Sequence, residues 1–357
     1  MMIRYAVVGA GWISQMAFMP GVAQSGNSRI TAIVTGNPAK AAKLAAFHGV
    51  GDVVSYDDYD ALLAGDTIDA VYIALPNSMH ADFTIRAARA GKHALVEKPL
   101  ATSVEECEAM IAAARDAGVL LMTAYRLHNE PGTVAVLEKI REGAIGQPLF
   151  FQSVFGFQAA SGNHRLLAEH WGGALQDLGV YCANAARHVF AEEPVEAIAI
   201  AHQPKDDERF REVEASIAAM LRFPSGGIAQ FIVSFGAADI DSYRVVGTSG
   251  DLELDPGYRF ETATKMRLRR GGTIEETAFP QIDHFGAQVA YFSDCIAQGV
   301  PVEADGEEGL ADMRVLLAIE KAAKTGQPQP IASPARTRHP TPDMVRLAPV
   351  TTHRLLL

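Results

Sequence analysis

Hydrophobic and polar positions change rhythm near Thr123, and that change divides the chain. Before it, short apolar runs alternate with helical stretches. Ile3–Val8, Ile30–Val34, Ala70–Ala74, His93–Val96 and Val119–Met122 read as strands. Helices are predicted from the first glycine turn to about Gln24, from Pro38, near Asp57–Ala64 and over Met79–Ala90. Pro20 is expected to kink the first of them. Ser103-Val104-Glu105-Glu106 has the capping-box pattern and opens another. Strands alternating with helices over this length predict a doubly wound parallel sheet, an α/β domain over residues 1–123.

From residue 124 strand-like runs dominate: Leu149–Phe157, Val195–His202, Ala215–Phe223, Ile228–Phe235, Ser242–Val246, Asp251–Leu254 and Met266–Arg269. Pro224-Ser225-Gly226-Gly227 reads as a hairpin turn between two of them. Helices are expected over Pro131–Glu142, Gly173–Phe190, His284–Gln298 and Glu307–Thr325. The proline-rich segment Gln327–Leu357 has no periodicity and is expected to be extended. The pattern predicts a second, α+β domain over 124–357 with a large, mostly antiparallel sheet.

Composition narrows the function classes. With 357 residues, 48% hydrophobic and 20% charged, this is a globular chain long enough for two domains. A net charge of −11 and no basic tract beyond Arg267–Arg270 argue against nucleic acid as a partner. No run has transmembrane length, so no membrane partner is expected. Cys107, Cys182 and Cys295 are odd in number and lack metal-ligand spacing. A reduced cytoplasmic protein without a bound metal is the simplest account.

The first strand ends in Gly9-Ala10-Gly11-Trp12-Ile13-Ser14, a G-x-G-x-x-(G/A) fingerprint with serine at its last position. Gly9 permits the tight turn, and Gly11 lets the backbone approach a pyrophosphate at a helix N-terminus. Such turns also occur without a ligand, so context decides. An NAD enzyme usually carries Asp or Glu at the end of the second strand to accept from the ribose 2′-hydroxyl. Here that segment is Thr35-Gly36-Asn37-Pro38-Ala39-Lys40, and no carboxylate occurs before Asp52. Thr35, Asn37 and Lys40 could bind or neutralise a 2′-phosphate, which predicts NADP over NAD; Lys40 could equally be a solvated residue. Leu75-Pro76-Asn77 follows the strand from Ala70 on the same sheet edge. Asn77 could cap a helix or contact cofactor, and His80 could be packed or face the crevice.

Gly91–Leu100 runs an apolar strand into Glu97-Lys98-Pro99. Proline cannot donate to a ladder, so the strand must stop there, with Lys98 at the edge where open parallel sheets bind ligands. In the second domain Asp177, Tyr181, Asn184 and His188 fall on one face of the predicted helix. They could handle protons and hydroxyls or form a buried network, with His188 the structural member of the set.

The fingerprint, Glu97-Lys98-Pro99 and Asp177-x-Gly179-x-Tyr181 together resemble the Gfo/Idh/MocA oxidoreductases, and most of all their glucose–fructose oxidoreductase and aldose dehydrogenase branch. Tyr125–Pro131, Tyr243–Thr248 and Tyr291–Cys295 support the likeness, which spans at least Ile3–Gly326. The resemblance implies a Rossmann domain, then a domain whose open sheet joins homodimers or homotetramers. It implies hydride transfer between NADP and a sugar or polyol carbon. Lys98 matches the catalytic lysine, Tyr181 the proton-exchanging residue and Asp177 its helix partner. Arg126 matches a cofactor position, Arg165 a substrate position, and Thr35–Lys40 the NADP-contacting segment. Glu97 is read as a cofactor-side or structural group. A tryptophan often precedes the arginine at 165; here it is His164, which leaves the sugar open.

A free tyrosine, with pKa about 10, is a poor base at neutral pH, and an ammonium near Tyr181 would favour its phenolate. Alternatives are a trans-dihydrodiol dehydrogenase or another ketone or imine reductase on the same scaffold, or a sensor that binds NADP without chemistry. A self-recycling enzyme that never releases NADP is a further variant.

Overall fold

The computed structural model describes residues 1–357. Strands β1 (Ile3–Val8), β2 (Ser28–Val34), β3 (Asp52–Val54), β4 (Ala70–Ile73), β5 (His93–Val96) and β6 (Leu121–Thr123) form one sheet in the order β3-β2-β1-β4-β5-β6. Every pairing is parallel. Helices cover both faces, so β4 and all of β5 but its first residue are buried and read as unbroken apolar runs. Strand order reverses between β1 and β4, which puts the ligand crevice beyond their carboxyl ends. β3 was not expected: three residues are too few to register as a pattern.

The helix expected to about Gln24 opens instead as a π-turn over Ser14–Phe18, followed by α1 (Met19–Val22). Pro20 stands at the start of α1, where a missing N–H costs little. Then come α2 (Pro38–His48), α3 (Tyr59–Ala64), α4 (His80–Arg89) and α5 (Val104–Ala117). Ser103 Oγ accepts the Glu106 N–H at 3.1 Å and Glu106 Oε2 accepts the Thr102 N–H at 2.9 Å, so the expected cap forms.

Helices α6 (Pro131–Arg141) and α7 (Val180–Phe190) accompany the second sheet, and α8 (His284–Gln298) and α9 (Gly306–Thr325) come before its last strand. Its strands are β7 (Pro148–Gln158), β8 (Glu196–His202), β9 (Ser216–Arg222), β10 (Ile228–Ser234), β11 (Gly236–Gly247), β12 (Gly250–Asp255), β13 (Thr264–Arg270), β14 (Thr273–Phe279) and β15 (Gln329–Pro330). Their order is β14-β13-β12-β11-β7-β10-β9-β8-β15, antiparallel except for β7 with β10. The β9–β10 hairpin closes at the expected Pro224–Gly227 turn.

Packing divides the chain into two units. The first is Met1–Glu130 with Ile282–Gly309 and Met344–Leu357; the second is Pro131–Gln281 with Leu310–Asp343. Helix α8, which chain order places with the second sheet, thus belongs to the first unit. Ser293 Oγ lies 2.8 Å from Tyr5 Oη, and Asn27 Nδ2 donates to Asp294 Oδ1 at 2.8 Å. The tail returns to the first unit as extended chain, with Asp283 N–H donating to the Ala348 carbonyl and Leu357 N–H to Gln15 Oε1.

Candidate active site

In the first unit the predicted cofactor residues gather along the carboxyl edge of the parallel sheet. Gly9 has φ +95°, and a Cβ there would lie 2.5 Å from the Ala74 carbonyl, so only glycine fits. A Cβ on Gly11 would meet no atom within 4 Å, which leaves its backbone open to a pyrophosphate. Ser14 Oγ donates to the Gly9 carbonyl at 2.6 Å and Gln15 Nε2 to the Ala10 carbonyl at 2.7 Å. These bonds preset the turn, and Gln15 was not foreseen. Trp12 is exposed and Ile13 half-buried on the same turn.

Thr35 is buried, and its Oγ1 accepts the Asn37 N–H at 3.2 Å. Asn37 caps α2, its Oδ1 accepting the Lys40 N–H at 3.0 Å, and is exposed at the helix N-terminus. Asp52, the first carboxylate of the chain, starts β3 opposite Ala32, two register positions before the strand end that leads to that cap. The segment therefore suits a 2′-phosphate.

Leu75 is buried and Pro76 and Asn77 are half-exposed on the β4 edge; Asn77 begins a 3₁₀ turn and does not cap α4. His80 faces no crevice. It is fully buried, with Nε2 2.9 Å from the Leu75 carbonyl and Nδ1 3.0 Å from the Pro99 carbonyl. It ties the β4 loop to the Lys98-Pro99 step, a structural duty that displaces the expected cofactor contact.

Strand β5 stops at Val96 as expected, although the Glu97 N–H still donates to the Ile73 carbonyl at 2.9 Å. Lys98 follows, half-buried. Tyr72 Oη donates to Glu97 Oε1 at 2.6 Å. Burial pushes the Glu97 carboxyl up, opposed first by the Lys98 charge, then by the Tyr72 hydroxyl and the Arg126 charge. Arg126 is buried, and its Nη1 donates to His284 Nδ1 at 3.0 Å. Burial, aided by the Arg126 charge, drives His284 well below its ordinary value, so it stays neutral and accepts. Tyr72 and His284 escaped sequence reasoning. The available signals were a phenol inside an otherwise aliphatic strand, which needs a buried partner, and a histidine directly after the α8 cap Asp283.

The second unit holds the remaining candidates. The helix predicted from Gly173 begins as a π-turn over Leu175–Gly179 and continues as α7. Asp177 Oδ2 pairs with Arg165 Nε at 3.1 Å. The Arg165 carbonyl accepts the Gly173 N–H at 2.9 Å, and a Cβ on Gly172 would lie 2.3 Å from that oxygen. Tyr181 is buried, its ring 6.1 Å from Phe155 and 6.2 Å from Tyr258. The other half of the polar stripe is structural: Asn184 Nδ2 donates to Asp312 Oδ2 at 2.9 Å, and His188 Nδ1 lies 3.1 Å from His339 Nδ1. Arg187 completes that network, binding Glu193 through two nitrogens and Asp312 at 2.7 Å. The chain thus sets a phenol and an ion pair on one helical segment, and an ammonium on a dinucleotide edge.

Residues 3–125 match the GFO/IDH/MocA model described as an oxidoreductase family with an NAD-binding Rossmann fold. Residues 133–253 match the GFO/IDH/MocA C-terminal domain. The chain belongs to the Gfo/Idh/MocA oxidoreductase family. It is 31% identical to a D-xylose 1-dehydrogenase (NADP+) from Haloarcula marismortui, covering 90% of this chain and 91% of that protein. Among solved structures it resembles an aldose–aldose oxidoreductase from Caulobacter crescentus, at 36% identity and TM-score 0.89 over 93% of this chain and all of that one. The 3-ketoreductase KijD10 from Actinomadura kijaniata, in complex with NADP and TDP-benzene, aligns at 28% identity and TM-score 0.82 over 90% of this chain and 98% of that one. This Gfo/Idh/MocA chain therefore has the family's parallel dinucleotide domain and open second sheet, and it is an oxidoreductase.

Proposed function

We propose that the protein is an NADP-dependent sugar oxidoreductase, moving hydride between nicotinamide and an aldose carbon. The observation that carries this reading is the dinucleotide edge: a preset glycine turn, an α2 N-terminus free of carboxylate, and Lys98 at the end of β5. Relatives that name NADP and sugars support it. NADP, when bound, accepts or returns the hydride at its nicotinamide ring. Tyr181 takes the hydroxyl proton in oxidation and returns it in reduction, and Lys98 supplies the catalytic cation of the dinucleotide edge. Asp177, held by Arg165, orients the sugar hydroxyls. Glu97 and Arg126 shape the nicotinamide end, and Thr35, Asn37 and Lys40 the phosphate end.

The reading is tested by following NADPH formation with a panel of aldoses and polyols. Tyr181→Phe and Lys98→Met should each cut turnover by about a hundredfold or more, the order expected of a lost acid–base group, while NADP still binds. Near-normal turnover in either variant removes that residue from the mechanism.

We further propose a homodimer or homotetramer built on the outer face of the second sheet. On β8–β10 that face exposes Ile198, Ile200, Met220, Ile228 and Ile232, with Ile200 75% exposed. On β11–β13 it carries ion pairs, Arg244 and Arg269 sharing Asp251. Sedimentation of Ile200→Glu should give a smaller species than the parent. No helix is long and apolar enough to cross a membrane. No disulfide joins the three buried cysteines, which suits the reducing cytoplasm.

A further inference from the structure

The parallel register of β4 and β5 pairs Tyr72 with Leu95. Side chains two residues apart share a face, so Glu97 emerges on the Tyr72 side of the sheet. The phenol is fully buried, and its ring lies flat on Phe18, centroids 3.5 Å apart and planes within 5°. Phe18 ends the π-turn that follows the dinucleotide fingerprint. One tyrosine therefore joins the helix behind the cofactor turn to the carboxylate beside Lys98. Glu97 is tied to β4 twice, through its N–H to Ile73 and its carboxylate to Tyr72.

We propose that Tyr72 is a positioning residue for the reaction: its hydroxyl pins the Glu97 carboxylate, which sets the placement of Lys98. The charged and titratable groups facing Glu97 are Tyr72 from β4, Lys98 on its own segment, and Arg126 from the turn after β6. Behind Arg126 stands His284 of α8, neutral and accepting. The pinned Glu97 side chain, with the Lys98 charge beside it, holds the ammonium near the sheet edge. A Glu97 that loses the phenol takes up a proton more readily and releases the lysine. The inference rests on the assignment of Lys98 to catalysis, so its test carries one readout that needs no turnover.

Tyr72→Phe deletes one oxygen and keeps the ring on Phe18. Losing a hydrogen bond to an ionised carboxylate moves its titration up by about one pH unit. The acid limb of the kcat profile should move up by the same amount, about a tenfold loss on that limb, with the alkaline plateau and the KM for NADP kept within about twofold. In a Glu97→Gln background Tyr72→Phe should change nothing further, because the partner is gone. Infrared difference titration supplies the second readout. The Glu97 carboxyl band, identified by its absence in Glu97→Gln, should titrate higher in Tyr72→Phe whether or not the enzyme turns over. If Lys98→Met keeps its turnover, the catalytic assignment falls while the infrared shift still reports the Tyr72–Glu97 link. If Lys98→Met is inactive and Tyr72→Phe shows the parental acid limb, the proposal is overturned, whatever the carboxyl band does.

Discussion

Replacing Asn37 by Asp changes one atom type at the N-terminus of α2 and separates folding from cofactor electrostatics. Asn37 caps the helix through Oδ1, which accepts the Lys40 N–H at 3.0 Å, and Asp caps equally well. The helix dipole slightly favours the new charge, so thermal stability should hold or rise. Cofactor binding should not hold. Asn37 is exposed, so a dielectric near that of water applies. At about 6 Å two like unit charges then repel by about 0.7 kcal/mol, and a 2′-phosphate carrying about −2 by about 1.4 kcal/mol, or tenfold in Kd. NAD lacks that phosphate, and its ribose hydroxyl gains an acceptor. Calorimetric titration with NADP and NAD at low salt should show their affinity ratio falling by about tenfold or more, with part of the effect lost at high salt. An unchanged ratio in a normally folded Asn37→Asp would refute the placement of the 2′-phosphate at this helix end.

Arg187→Leu should cost about 3–5 kcal/mol in urea unfolding, because it strands the buried carboxylates of Glu193 and Asp312. A cost under about 1 kcal/mol would mean that solvent reaches the network. Acid lability should follow from His284. Its folded value lies well below the ordinary one, so the unfolded chain binds a proton that the native state refuses once pH drops below about 6.5. Its share of stability is complete above that pH and is lost on acidification, at about 1.4 kcal/mol per pH unit. His80 and His93 have the same sign. The difference in denaturant midpoint between pH 7 and 5.5 should shrink in His284→Gln; an equal difference would show that His284 is charged in the native state. Gly9→Ala should abolish NADP binding, since its Cβ would collide with the backbone of Ala74; binding within tenfold of the parent would contradict the turn geometry.

Much of the site was legible along the chain because it depends on neighbours in sequence. The Gly9–Ser14 turn, the Ser103 cap and the stop before Pro99 follow from backbone torsions and missing donors. The stripe from Asp177 to His188 was only half legible. A 3.6-residue period puts its four members on one face, but the helix starts with a π-turn and later turns meet Asp312 and His339. Strand β14 was missed because its first four residues are all exposed at a sheet edge, so no buried alternation marks it. At His80 the sequence left two readings open, and the fold chose the packed one, with its ring nitrogens 2.9 and 3.0 Å from the Leu75 and Pro99 carbonyls.

By itself the sequence determined the parallel dinucleotide sheet, the glycine turn, the absence of a carboxylate at the second strand end and the presentation of Lys98. Each rests on local torsion, periodicity or a residue type that excludes alternatives. Only the tertiary structure decided that α8 joins the first unit, that Asn184 serves Arg187's network, and that Tyr72 and His284 stand behind Glu97 and Arg126. Those choices rest on sheet register and on contacts between residues tens to hundreds of positions apart. A buried polar atom must find a partner, and nothing in its local sequence says which one the folded chain will bring to it.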